Sequence, residues 1–233
     1  MRTLTPTLLA AVALTLAAAP GAGAQDTARA IAGGGVHVAG WTGRIDAREA
    51  AAGQKLENAK LSKEGDVLKV ATGPAVAYWH ADNKATGDYT VKATFTEAEY
   101  MNRNNHPHPY GVFIGGADMG TDTQSYLYCA AYGSGTFIVR GFGPEPFQLN
   151  GRRGEAHAAV RKAAGQGEPV TQEIALSVKG DKVECAINGQ VVGSYPKADV
   201  VGTGKLKSTD GVYGVRFGHN TEASVSGLAV TKP

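Results

Sequence analysis

The stretch Lys182-Val183-Glu184-Cys185-Ala186-Ile187-Asn188-Gly189-Gln190-Val191-Val192-Gly193-Ser194-Tyr195 consists of two alternating runs joined by Asn188-Gly189. Both turn residues tolerate the positive φ of a type I′ turn, whose twist matches that of paired strands, so the stretch predicts a β-hairpin. Alternation also assigns faces. Val183, Cys185 and Ile187 share one side of their strand and Lys182, Glu184 and Ala186 the other, which turns Cys185 inward.

The same signature spreads outward from the hairpin. Short runs with period-two alternation occur at 66–71, 75–79, 88–99, 110–115, 125–131, 136–140, 170–178, 212–219 and 223–231. They are bounded by Gly, Asn, Asp or Pro, as the 32 glycines and 10 prolines allow. Many short strands with frequent turns predict an all-β, two-sheet antiparallel β-sandwich. In the run 125–131, Leu127, Cys129 and Ala131 take one face; Tyr126, Tyr128 and the following Tyr132 take the other. Burying the first set leaves a row of tyrosines facing outward. One long polar loop, 150–169, interrupts the pattern; its Ala-rich part, 155–164, with Arg161 and Lys162 in its last turn, predicts a short helix.

The chain opens with Arg2, an apolar run from Leu8 to Ala19, and Pro20-Gly21-Ala22-Gly23-Ala24. That arrangement is a secretory signal peptide over residues 1–24, which implies export to the periplasm or the medium. The apolar run is too short for a membrane span, and no later run approaches the length that one needs. Residues 25–35 are small and Gly-rich and predict a flexible lead-in, leaving 36–233 as one sandwich domain. Without Arg2, 22 basic residues stand against 21 acidic ones, which gives no reason to expect a nucleic-acid partner. Export would let Cys129 and Cys185 form a disulfide, although two separate buried thiols fit the pattern equally. No phosphate-cradling loop, Gly-x-Ser-x-Gly elbow or other cofactor signature is present, so no cofactor is expected.

The order of segments resembles the 3-keto-disaccharide hydrolase-like domains of the concanavalin-like lectin and glucanase superfamily. The resemblance is carried by Gly40-Trp41, by Asp88-Tyr89-Thr90-Val91 through Phe95 to Glu99 and Arg103, by Tyr110-Gly111-Val112-Phe113-Ile114, by the Ile187-to-Val191 turn, and by 211–230. It implies a concanavalin-like jelly roll with a concave sheet face that meets a carbohydrate. Where that family usually places a Tyr-Glu pair, this chain has Tyr126-Leu127-Tyr128-Cys129, without the acidic partner.

Glycoside cleavage generally requires two carboxyls ~5–10 Å apart. Glu97 and Glu99, two residues apart on one strand, are the best candidate pair; two solvated strand carboxylates are the plainer reading. The segment 102–110 is dense in groups that stack and hydrogen-bond. Arg103, Asn105, His106, His108 and Tyr110 would form one wall of a sugar site, with Tyr126, Tyr128 and Arg140 on the sheet face. The plainer alternative is a rigid polar connection and half-buried aromatics. His106 and His108 point the same way on an extended backbone, as a metal would want, but no third ligand follows from spacing and no metal is assigned. The Gly-rich turn 115–122, with Asp118 and Asp122, reads as a hydrogen-bonded turn rather than a calcium loop. Carbohydrate binding ranks first, a glycoside hydrolase second, and an envelope protein-interaction domain third.

Overall fold

The computed structural model describes residues 28–102 and 106–233. The leader 1–24 and the candidates Arg103 and Asn105 lie outside these residues. The strands are β1 (Gly35–Val36), β2 (Trp41–Ile45), β3 (Ala59–Glu64), β4 (Val67–Thr72), β5 (Val76–Ala85), β6 (Tyr89–Glu97), β7 (Pro109–Ala117) and β8 (Ser125–Tyr132). They continue with β9 (Thr136–Phe142), β10 (Pro146–Gln148), β11 (Glu155–Ala156), β12 (Val170–Lys179), β13 (Lys182–Ile187), β14 (Gln190–Pro196), β15 (Gly211–Phe217) and β16 (Glu222–Thr231). The α-helix among the described residues is α1 (Ala47–Ala51), a single turn following Asp46.

Two sheets form. One runs β1-β3-β4-β16-β6-β12-β13-β14; the other runs β10-β9-β8-β7-β15-β5-β2, with β11 added beside β9. Pairing among the described residues is antiparallel apart from the short parallel contact of β1 with β3 and the isolated parallel bridge of Val201 with Leu206. Alternation works as the sequence implies. On β6, Val91, Ala93 and Phe95 turn inward; on β12, Ile174, Leu176 and Val178 do so, and all six are buried in the core between the sheets. The hairpin forms on Asn188 and Gly189 at φ 51° and 81°.

Cys129 on β8 and Cys185 on β13 form a disulfide that joins the two sheets, with Cα atoms 5.9 Å apart and a sequence separation of 56. By chain entropy, closing such a loop stabilises the fold by about 4 kcal/mol.

Two expectations are corrected. Residues 155–164 do not form a helix: Glu155 and Ala156 pair with β9, Lys162 bridges Ser134, and the Ala163 N–H donates to Gly133 at 2.8 Å. A lone segment of that length is marginal as a helix, so tertiary backbone partners prevail over its weak propensity. The lead-in, read as flexible through residue 35, is held from Arg29 onward. The Arg29 N–H donates to Asn220 Oδ1 at 2.7 Å, its guanidinium to Thr72 O and Glu222, and Gly35–Val36 joins the sheet.

Candidate functional site

The outer face of the second sheet carries a groove of about 980 Å³. Its shape follows from one cross-strand row, in which Arg216 on β15 faces Gly111 on β7, Gly111 faces Ala130 on β8, and Ala130 faces Ile138 on β9. Two small residues in the middle of that row leave a depression. A Cβ at Gly111 would lie 1.9 Å from the Cys129 carbonyl oxygen, so the position admits only glycine.

Aromatic rings surround the depression. Tyr126 and Tyr128 sit on the outer face of β8 because Leu127, Cys129 and Ala131 fill the inner one. The Tyr126 and Phe142 ring centroids are 5.2 Å apart, and Tyr128 stacks on Phe142 at 6.1 Å. Burial raises the Tyr126 and Tyr128 hydroxyls above their ordinary range, so both rings stay neutral phenols.

Two arginines lie over these rings. The Arg216 guanidinium carbon is 5.7 Å from the Tyr128 centroid and 5.5 Å from that of Phe142, and Arg140 lies 5.3 Å from Phe142. The Arg216 side chain is 94 % buried, and its Nη2 donates to Asp46 Oδ2 at 2.6 Å. Burial opposes its charge, but the Asp46 carboxylate overcomes that and raises its pKa. The Arg216 Nη1 is buried with no hydrogen-bond partner among the described residues. Leaving a buried charged donor unmet is unfavourable by roughly 1–3 kcal/mol or more.

At one end of the groove three histidines converge. His106 and His108 come from the segment before β7, and His219 from the turn after β15. Their ring centroids are 4.8 Å (His106–His108), 5.9 Å (His106–His219) and 3.7 Å (His108–His219) apart. One ring nitrogen from each lies within 4.8 Å of the others. A backbone clamp holds the two segments together: the Gly218 N–H donates to Pro109 O at 2.7 Å. A Cβ on Gly218 would meet Pro109 Cδ at 2.8 Å and His108 Cβ at 3.1 Å, so this approach also requires glycine. Beside the cluster, Glu49 Oε1 from α1 lies 3.8 Å from His219 Nδ1. Burial raises the Glu49 pKa, partly offset by the Ala75 N–H.

Of the residues named from sequence, His106, His108, Tyr126, Tyr128 and Arg140 line the groove. Tyr110 does not: it is fully buried between the sheets, stacked on Phe95 at 5.5 Å, because it shares the inward face of β7 with Val112 and Ile114. Glu97 and Glu99 do not form a pair on one face. Glu97 ends β6 on its inner side, 2 % exposed, whereas Glu99 follows the strand and is exposed. Glu97 Oε1 accepts the Met101 N–H at 3.0 Å, and burial pushes its pKa up to about 7 against the help of that bond and of the Tyr110 hydroxyl. Asp118 and Asp122 are engaged by Lys207 and Arg44, and the Asp118 carbonyl accepts the Thr121 hydroxyl at 2.7 Å, as a hydrogen-bonded turn requires.

Among the groove's other polar groups, Asp46, Glu49, Arg216 and His219 were not singled out from sequence. Arg216 offered a signal, because it alternates with Val215 and Phe217 and therefore occupies the face opposite the core. His219 offered none, since it lies more than 100 residues from His108 and meets it only through the β7–β15 pairing.

The two antiparallel sheets and their order make the fold a concanavalin-like, galectin-like β-sandwich. The carbohydrate-binding module CBM66 from Bacillus subtilis superposes with a TM-score of 0.56 over 84% of this chain and 98% of that one, at 8% sequence identity. A Bacillus subtilis protein of unknown function with a galectin-like fold superposes with a TM-score of 0.54 over 82% of this chain and 89% of that one, at 13% identity. No protein-family model matches the chain, and no curated protein matches it.

Proposed function

We propose that the protein binds a glycan or sugar derivative in the groove of the second sheet. The observation that carries this reading is the pairing of the Tyr128 and Phe142 rings with the Arg140 and Arg216 guanidinium groups, all lining the groove. Sugar rings present apolar faces to aromatics and oxygens to prepared donors, and a groove offering both needs little rearrangement to bind one. The similarity in fold to a carbohydrate-binding module supports the reading but does not carry it, since one fold hosts many functions. The leader 1–24 together with a disulfide supports an exported protein working in an oxidising compartment, periplasmic or secreted. The test is a glycan panel read by calorimetry for the parent and for Tyr128→Ala and Arg140→Ala. Binding that weakens at least about tenfold in both supports the groove, and a ligand that ignores both substitutions overturns it.

One observation favours glycoside hydrolysis as a second reading. Asp46, immediately before α1, and Glu49, on α1, are two carboxylates that do line the groove, unlike Glu97 and Glu99. Turnover of a panel glycan that is abolished by Glu49→Gln would establish it.

A further inference from the structure

We infer that His106, His108 and His219 form a binding site for a divalent transition-metal ion at the end of the groove. Aromatic packing explains why the rings touch, but it does not explain why one nitrogen from each converges within 4.8 Å of the others. Imidazole nitrogens without oxygen ligands in the primary set select zinc-like ions over calcium or magnesium. Small side-chain rotations bring nitrogens at this spacing to a common centre, because the segment before β7 and the turn after β15 are already clamped by the Gly218–Pro109 backbone bond.

The surroundings fit such an ion. Metal-bound histidines are commonly steadied by a nearby carboxylate, and Glu49 occupies that place beside His219 at 3.8 Å. The remaining histidines, His37, His80 and His157, belong to other parts of the molecule: His37 reaches Gly33 O, His80 packs on Trp41, and His157 packs on Phe137. Three protein ligands leave one position open in a tetrahedral zinc shell. All three histidines line the groove, so that position opens into the space assigned to the sugar. The metal site stands without any sugar, and its test uses none.

The experiment is calorimetric titration of zinc chloride into the untagged protein stripped with chelator, with bound zinc counted by elemental analysis. One zinc per chain is expected. Glu49→Gln should weaken binding about 10- to 100-fold, and His106→Ala and His219→Ala should weaken it by more, while His157→Ala leaves it unchanged. His106 is exposed, so its replacement leaves packing intact, and thermal unfolding in chelator should match the parent. Absence of a one-to-one zinc isotherm, or an isotherm that survives both His106→Ala and His219→Ala, overturns the site.

Discussion

The side-chain amide of Asn188 donates through Nδ2 to Gln172 Oε1 at 2.7 Å, joining the tip of the β13–β14 hairpin to a fully buried amide on β12. The same Nδ2 donates to Ala159 O at 2.8 Å, and Asn188 Oδ1 accepts the Glu173 N–H at 2.9 Å. Gln172 in turn accepts the Arg161 N–H and donates to Arg161 O. The turn residue that sets the hairpin therefore also moors the long loop 150–169 against the sandwich.

Asn188→Gly keeps the positive φ of the turn and removes only the mooring. It should destabilise the protein by about 2–3 kcal/mol in urea unfolding, given three lost bonds and partners left buried. Asn188→Ala should lose about 1 kcal/mol more, because a Cβ disfavours the left-handed conformation. A neutral Asn188→Gly would show that the loop holds itself.

Glu97 should make stability fall as pH rises from about 4.5 to about 7. Its folded pKa is raised from 4.5 to about 7 by burial, so across that window the folded state holds a proton that the unfolded state has released. The full effect is on the order of 3 kcal/mol, complete above pH 7 and absent below pH 4. Glu97→Gln, which stays neutral, should flatten that part of the pH profile of the urea midpoint. An unchanged profile would place the titration elsewhere.

Arg216 and Asp46 should be strongly coupled. Arg216→Ala leaves the carboxylate without its partner in a crowded site and should destabilise by about 3–5 kcal/mol. Adding Asp46→Ala should lose much less than Asp46→Ala alone, giving a coupling of about 2 kcal/mol or more in a double-mutant cycle. Additive losses would mean that the 2.6 Å contact contributes little.

Replacing Cys129 and Cys185 by alanine should lower stability by about 2–5 kcal/mol with the fold retained. Circular dichroism through thermal unfolding checks both parts.

The sandwich and its register were legible because period-two patterning reports directly which side chains face inward, and the Asn188-Gly189 turn fixes one pair of strands. The same logic placed Tyr126, Tyr128 and Arg140 on the groove face and turned Cys185 inward. It failed at strand ends. Tyr110 belongs to β7 rather than to the preceding loop and shares the inward face of Val112 and Ile114, and the end of β6 at Glu97 separated that residue from Glu99. Composition misread 155–164, because alanine content carries no information on the backbone partners waiting on β9 and at Gly133. His219 and Asp46 reach the groove by pairings between distant segments, for which a single sequence holds no local signal.

Cys129 and Tyr128 are consecutive residues of β8, one riveted through the interior to the opposite sheet and the other lining the groove. The groove wall is thus braced from behind by a bond that touches no ligand. Cutting that brace with a reductant would leave every groove side chain in place yet widen the range of positions that Tyr128 samples. A ligand would then have to restore the order that the covalent tie supplies in advance, and its affinity would fall through entropy alone. Thiol chemistry in the interior would in this way tune recognition at the surface.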